Sequence, residues 1–346
     1  MVLLALDKNF QPVAYLQYIN LQWNREYYQP GDFSAQVPAE QYDVKMAYLY
    51  TPDRPEMGII QKVELTETVK GRFVQLSGFF LEAILNDKIV YPTYYATGPI
   101  DTAVTTMVDR YKDDIPLLSV ATASGATEAV AWQETGGPLG DVAFKRLQTQ
   151  QMSCRCHYDY EDNTITFSTW KGLDRTQEQT INNFVVFSDG FRNLNKVEAS
   201  FDTSNAKNYA VVAGEGEGTD RKVAYADLSN GGYKKQLFVD AKSERYDPEK
   251  QTQDEYLESL RQKGYDQLLR YQETQNINID VSQSTFRYLQ DFDLGDLVDA
   301  AVEDIGLALQ ARIVSIHEVL KQNNQTVTIE LGDKKLTTLQ KARLIY

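Results

Sequence analysis

Hydrophobic and polar residues alternate along much of this chain, most clearly between Leu21 and Pro38. In an extended strand every second residue from Leu21 to Tyr27 would share one face, and the residues between them the other. Residues 29–32, Gln-Pro-Gly-Asp, have the composition of a type II turn, in which Gly31 takes the positive φ. Alternation resumes from Phe33 to Val37. The pattern predicts a β-hairpin with an aromatic first strand, around which a small barrel could be built.

Similar short alternating segments, separated by turn residues, fill residues 1–95. Their number and spacing predict a β-barrel or sandwich. After Tyr95 the pattern changes to helical spacing, with Asp101 and Asp141 as expected N-caps of two helices. Strands follow between Met152 and Phe187. We interpret residues 96–195 as a small α+β domain inserted between β modules.

Strands return from Asn208 onwards and predict a second β module over residues 196–346. This module contains the clearest helical pattern of the chain, over residues 247–273. Asp247 is the expected N-cap and Pro248 suits the first helical position, ahead of a stripe of leucines. The predicted fold class is therefore a β-rich α+β fold with two small β-barrel modules, an inserted α+β domain and a long helix.

The two ends of the chain share an order of features. Pro30-Gly31-Asp32-Phe33 near the start and Leu294-Gly295-Asp296-Leu297 near the end each precede a strand, an alternating segment, a turn and another strand. Either the two ends are related barrels, or common β patterns coincide. If they are related, three chains around one axis would present six similar modules, which would suit a six-fold partner.

The density of aromatic residues on the hairpin favours a contact surface, because aromatic side chains are enriched at interfaces. The alternative is that these rings are ordinary core residues. The predicted interface residues are Trp23, Tyr27, Tyr28, Pro30, Gly31, Asp32, Phe33, Gly295 and Asp296.

Charge and composition narrow the possible partners and location. The net charge of −14 argues against a broad surface for nucleic acid or anionic membrane. The N-terminal segment lacks a basic region before its apolar run, and no window approaches the roughly 18 apolar residues of a membrane helix. Two cysteines cannot form a secreted disulfide framework. We expect synthesis in a reducing cytosol.

No segment gives a strong indication of catalysis or ligand binding, and we predict no catalytic, cofactor-binding or metal-binding residues. The glycines of residues 214–218 (Gly-Glu-Gly-Glu-Gly) lack the spacing of a dinucleotide loop, and a hairpin loop is preferred. Cys154, Cys156 and His157 are too few for a closed zinc site, so burial of the cysteines is expected. The acidic residues 159–163 lack the EF-hand pattern and fit a hairpin tip, with calcium as the alternative. Since His317 is the only other histidine, a serine triad has little support.

Several segments together resemble the tail-hub proteins of long-tailed bacteriophages and prophage-derived particles. They are WNREYYQPGDF (23–33), MGIIQKVEL (57–65), GRFVQLSGFFLEAIL (71–85), GLDRT (172–176), VVFSDGFRNL (185–194), KNYAVVAGEGEGTDRKV (207–223) and LFVDA (237–241). The resemblance implies a virion protein of the tail tip or baseplate. Its expected form is a homotrimeric hub with two barrel modules per chain, in contact with the tail tube, distal tail proteins and the tape-measure protein.

The sequence is compatible with three functions. The favoured one is a non-enzymatic structural hub that caps the tail tube. The first alternative is a cell-wall hydrolase or its carrier, since many tail hubs carry lytic extensions; this sequence stops at Tyr346, just past the hub-like module, which speaks against that role. The second alternative is a receptor- or carbohydrate-binding module that uses exposed tyrosines.

Overall fold

The computed structural model describes residues 1–69, 71–271, 274–302, 307–321 and 324–336. Three α-helices lie in these ranges: α1 Ile100–Tyr111, α2 Leu139–Gln148 and α3 Gln253–Leu268. The strands are β1 Leu3–Leu6, β2 Pro12–Leu16, β3 Asn20–Glu26, β4 Asp32–Pro38, β5 Tyr48–Tyr50, β6 Gly58–Ile59, β7 Lys62–Thr68, β8 Gly71–Phe79, β9 Tyr94–Pro99, β10 Leu118–Val120, β11 Ala129–Glu134, β12 Ser153–Asp159, β13 Thr164–Trp170, β14 Val186–Ser188, β15 Leu194–Asp202, β16 Tyr209–Ala213, β17 Val223–Asp227, β18 Gln236–Asp240, β19 Thr274–Val281, β20 Leu297–Val302, β21 Leu307–Lys321 and β22 Asn324–Leu336.

One ten-stranded sheet joins the beginning and the end of the chain. Its main path runs β15-β19-β22-β21-β3-β4-β8-β7, and β20 and β14 extend it from β21. The link between the two ends is the antiparallel pair β3–β21, in register from Asn20 opposite Lys321 to Glu26 opposite Ser315. The predicted hairpin therefore exists, and its first strand lies beside a strand almost 300 residues later.

Four smaller sheets surround this one. A four-stranded sheet, β2-β1-β5-β6, contains the hairpin of β1 and β2; the others are β10-β13-β12, β9–β11 and β17-β16-β18. Helices α1 and α2 pack together with β9 and β12 in the middle of the chain, and α3 covers one face of the β16–β18 sheet. The prediction of a β-rich α+β fold is confirmed, and the two barrel modules and the three-part domain division stay predictions.

Helix α3 begins later than predicted. Its N-cap is Thr252, whose hydroxyl accepts from the Glu255 N–H while the Glu255 carboxylate accepts from the Thr252 N–H. The predicted cap, Asp247, instead holds a separate turn by accepting from the Glu249 N–H and from Lys250. Because a capping box satisfies two helix donors at once, it fixes the start of the helix. The predicted end at residue 273 lies outside the described residues.

Aspartates 101 and 141 are not N-caps either. Helices α1 and α2 begin after Pro99 and Pro138, without a side-chain cap. Asp101 lies inside α1, and its carboxylate accepts from the backbone of residues 125 and 126 in a neighbouring loop.

Candidate interface

The aromatic residues of the hairpin lie in the interior of the single chain. Trp23 and Tyr27 are fully buried and Phe33 is 1% exposed. The Trp23 ring packs on Phe33 and Phe80, with centroids 5.9 and 4.6 Å away. In this conformation these rings have no surface left for a neighbouring subunit, which favours the alternative that they are core residues.

The backbone at Gly31 differs from the predicted type II turn. Gly31 is not among the glycines with positive φ. A Cβ at this position would lie 2.2 Å from the Asn24 carbonyl oxygen and 2.8 Å from the Phe80 ring. Glycine is therefore required by the close approach of strand backbone and ring, and not by a left-handed turn.

Three other predicted interface residues keep part of their surface. Tyr28, Pro30 and Asp32 are half-buried, around the turn that joins β3 to β4. The Asp32 carboxylate accepts from the Asn24 side chain at 2.7 Å, and the Asn24 amide oxygen lies 3.2 Å from a ring nitrogen of His317. A row of polar side chains therefore crosses β4, β3 and β21 on the outer face of the sheet.

Gly295 and Asp296 are buried directly against the hairpin. Gly295 has a φ of +81°, and a Cβ there would lie 2.4 Å from the Tyr27 ring. Asp296 accepts from Arg175 Nε at 2.7 Å and from the Leu173 N–H at 2.8 Å. The second Gly-Asp motif therefore packs against Tyr27 of the hairpin within one chain. An interface role for the nine predicted residues stays a prediction.

Beside the hairpin lies a group of buried and half-buried polar residues, which we call the polar junction: Arg25, Arg54, Glu56, Glu82, Tyr288, Asp293 and Glu318. Arg25 is 3% exposed; it donates to Glu56 at 2.6 Å and to the Tyr288 hydroxyl at 3.0 Å, and it pairs with Asp293. Burial alone would lower the pKa of Arg25, but the surrounding Glu56, Tyr288 and Asp293 raise it well above its usual value. The guanidinium is therefore a fixed cation.

A second ion pair of the junction joins distant segments. Arg54 Nε donates to the fully buried Glu318 carboxylate at 2.8 Å, and its guanidinium lies 5.3 Å from the centre of the Tyr288 ring. Residue 54 follows β5 and residue 318 lies on β21, so this pair reinforces the contact between the two ends of the chain. Sequence reasoning missed the junction, because nothing local indicates which charges meet.

Two carboxyl groups, Glu82 of the junction and Glu26 on β3, have strongly raised pKa values. Burial is the main cause for both. It raises the pKa of Glu82 to about 7 although its carboxylate accepts from the Cys156 N–H at 2.9 Å. The pKa of Glu26 also rises to about 7, although the hydrogen bond donated by Ser315 acts to lower it. Residues of the junction line a cleft of about 430 Å³, a volume that includes space open to solvent.

The sequence matches a known family, and the fold resembles solved structures. A family described as Siphovirus ReqiPepy6 Gp37-like protein matches residues 5–333. The chain belongs to this family. The resemblance to phage tail-associated proteins is thereby confirmed, and similar folds occur in solved tail proteins.

Three solved structures illustrate the likeness of this Gp37-like chain. A tail protein from Neisseria meningitidis MC58 has a TM-score of 0.62 over 96% of both chains. A 43 kDa tail protein of prophage MuSo2 from Shewanella oneidensis has 0.60 over 96% of this chain and 98% of the other. Prophage tail protein gp18 from Listeria monocytogenes EGD-e has 0.57 over 100% and 98%. Each is 12% identical, so the likeness concerns the fold. No curated protein matches the sequence.

The Gp37-like chain exposes two surfaces that sequence reasoning did not single out. Strand β7 is exposed along its whole length at the edge of the ten-stranded sheet, including Val63 and Leu65. On the β16–β18 sheet, the face opposite α3 exposes Tyr225 and Phe238 on either side of Val211. A strand edge and an apolar sheet face are both surfaces through which proteins associate.

The other sequence candidates occupy structural positions in the Gp37-like chain. Cys154 and Cys156 are buried on β12 as predicted, and burial raises their pKa well above the usual value. Residues 214–218 connect β16 to β17, as expected of a hairpin loop. Across the described ranges there is no group of three or more metal-ligating side chains, and no helix long and apolar enough to cross a membrane.

Proposed function

We propose that this chain is a structural hub subunit of a phage tail tip or baseplate, and that it acts in the virion without catalysing a reaction. The observation that carries the proposal is the family match over residues 5–333, together with a fold shared with three proteins described as tail proteins. In this role the chain forms a homotrimeric ring that caps the tail tube. It contacts distal tail proteins and the tape-measure protein.

The fold supports such a role physically. The polar junction and the β3–β21 pair connect the early and late strands of the chain, as suits a subunit that bears load between neighbours. Gly295 packs against Tyr27, next to the end of the strand that leads to Gly31. In the proposal the two Gly-Asp motifs mark two related barrel modules, and the half-buried Tyr28, Pro30 and Asp32 contribute to subunit contacts.

The mass of the purified protein in solution tests the assembly. We expect three times the mass of one chain by light scattering, and rings by negative-stain electron microscopy when the distal tail proteins of the same particle are present. Tyr28→Ala should shift the distribution towards monomer, whereas Tyr233→Ala, at an 85% exposed position outside the hairpin, should not. A chain that stays monomeric with and without its tail proteins would contradict the proposal.

A further inference from the structure

Strands β7 and β15 form the two ends of the main path of the ten-stranded sheet. In the part of the chain that the structure describes, β7 pairs only with β8 and β15 only with β19. An end strand directs every second N–H and C=O away from its neighbour, and these groups can form hydrogen bonds with a strand of another chain. The sheet therefore has an open edge at each end of this path.

Both end strands carry the sequence Lys-Val-Glu, from Lys62 to Glu64 in β7 and from Lys196 to Glu198 in β15. The ammonium and the carboxylate of each motif lie 2.9 Å apart in β7 and 2.6 Å apart in β15. All four charged side chains are between 54% and 64% exposed. Because charges on an edge strand also protect against aggregation, the motif alone does not identify a contact.

The two edges run in opposite directions. The path from β15 to β7 contains eight strands, and each strand is antiparallel to the next. Eight strands have seven neighbouring pairs, and this odd number of reversals leaves β7 antiparallel to β15. If a second copy continues the sheet in the same sense, its β15 therefore meets β7 of the first copy as an antiparallel neighbour.

The valines of the two motifs lie on the same face of the sheet. Val63 lies opposite Leu76 and Val197 lies opposite Ile279, and both of these partners are fully buried. The registers of the strands between them connect Leu76 to Ile279 without a change of face. Val63 itself is 42% exposed, so a strand added beside β7 would cover apolar surface that one chain leaves open.

We propose that β7 of one copy pairs antiparallel with β15 of the next copy, with Val63 opposite Val197. This register places each lysine of one motif opposite the glutamate of the other, and opposite charges on facing strands stabilise the pair. A parallel alignment of the two motifs would place like charges opposite one another. The inference rests on the proposed assembly of several copies, and it identifies the edges through which they associate. Since the contact joins unlike edges, it can repeat around a closed ring.

A two-fold pairing of β7 with β7 of another copy is the competing arrangement. It is also antiparallel, and Lys62 of each copy would face Glu64 of the other. Such a dimer would leave both β15 edges open. An exchange of the two charges on β7 distinguishes the arrangements. The exchanged motif remains complementary to itself, but it places like charges opposite those of β15.

The charge exchange combines Lys62→Glu with Glu64→Lys. It keeps the net charge and alters side chains that are more than half exposed in the single chain, so the unfolding of dilute protein should not change. Light scattering over a concentration series should show that half-assembly requires about tenfold more protein, because two attractive pairs become repulsive. Adding Lys196→Glu and Glu198→Lys to the same chain should restore the original value.

Each outcome separates this pairing from the hub role. An unchanged assembly in the β7 exchange would overturn the pairing and leave the hub role intact, and so would a loss that the fourfold variant does not restore. A chain that is monomeric with and without its distal tail proteins would contradict both.

Cross-linking checks the register directly. Val63→Cys and Val197→Cys are prepared as separate proteins, mixed under assembling conditions and treated with a short bismaleimide. The native Cys154 and Cys156 are buried and should not react. We expect covalent dimers in the mixture and none in either protein alone. Dimers from Val63→Cys alone would show the two-fold arrangement instead.

Discussion

At the scale of single residues, stability depends on charges that are removed from water but paired. Arg54 and Glu318 illustrate this, because Glu318 is fully buried and the arginine is its cationic partner. Arg54→Met should lower the free energy of unfolding by about 3–5 kcal/mol, since it leaves a buried carboxylate without its partner. Urea unfolding followed by circular dichroism measures the loss.

A surface pair is the control for that variant. Lys62 Nζ lies 2.9 Å from Glu64, but both side chains are more than half exposed. Solvent screens such pairs, so Lys62→Met should change the stability by less than about 1 kcal/mol. Comparable losses in the two variants would show that the Arg54–Glu318 pair is not buried as described.

Glu82 makes stability depend on pH. Its pKa is raised from 4.5 to about 7 by burial, so between these values the folded chain binds a proton that the unfolded chain has released. Stability from this group is therefore complete below about pH 4.5, falls as the pH rises to about 7, and is constant above that. Over this window the loss is about 3 kcal/mol.

The variant Glu82→Gln isolates this effect. It should remove the contribution of Glu82 to the pH dependence, so that its unfolding free energy declines less between pH 5 and 7 than that of the unaltered chain. Glu26 has a pKa of about 7 for the same reason and should keep its own share of the decline. Identical pH profiles for Glu82→Gln and the unaltered chain would refute the assignment.

At the scale of elements, the start of α3 is fixed by its capping box. Thr252→Ala removes the hydroxyl that accepts from the Glu255 N–H and should cost about 1 kcal/mol. Asp247→Ala affects only the exposed turn before the helix and should cost less. Thermal unfolding gives the ranking, and faster hydrogen exchange at the first turn of α3 in Thr252→Ala locates the change. A larger loss in Asp247→Ala would support the start predicted from sequence.

The sequence pattern correctly predicted features that depend on neighbouring residues. Alternation placed β3 and β4 correctly and put Trp23 and Arg25 on one face, because a strand has a period of two residues; the structure shows that this face is buried. Helix starts were less accurate, since Asp247 and Thr252 both carry capping side chains and only the contacts of each decide between them. The need for glycine at residue 31 comes from Phe80 and the Asn24 carbonyl, which no turn rule includes.

At the scale of the whole molecule, sequence could not specify which strands meet. The β3–β21 pair and the contact of Arg25 with Asp293 connect residues more than 260 positions apart. Similar alternating strands can pair in many ways, and partners are selected by the complete core. The order of the shared segments along the chain was enough to indicate the family. Which surfaces remain exposed depends on the pairing of distant strands, so these surfaces were seen only in the folded chain.

The joined sheet also bears on the predicted division at residue 95. Within residues 1–95, β3 would lose its partner β21, and Arg54 would lose Glu318. We therefore expect the isolated fragment 1–95 to lack a cooperative unfolding transition and to show poorly dispersed amide signals in NMR spectra. The intact chain, measured alongside, should unfold cooperatively. A cooperatively folded fragment would show instead that the first predicted module is an independent unit and that the β3–β21 pair only docks two finished units, a distinction that decides whether the two parts of the chain move separately or as one body.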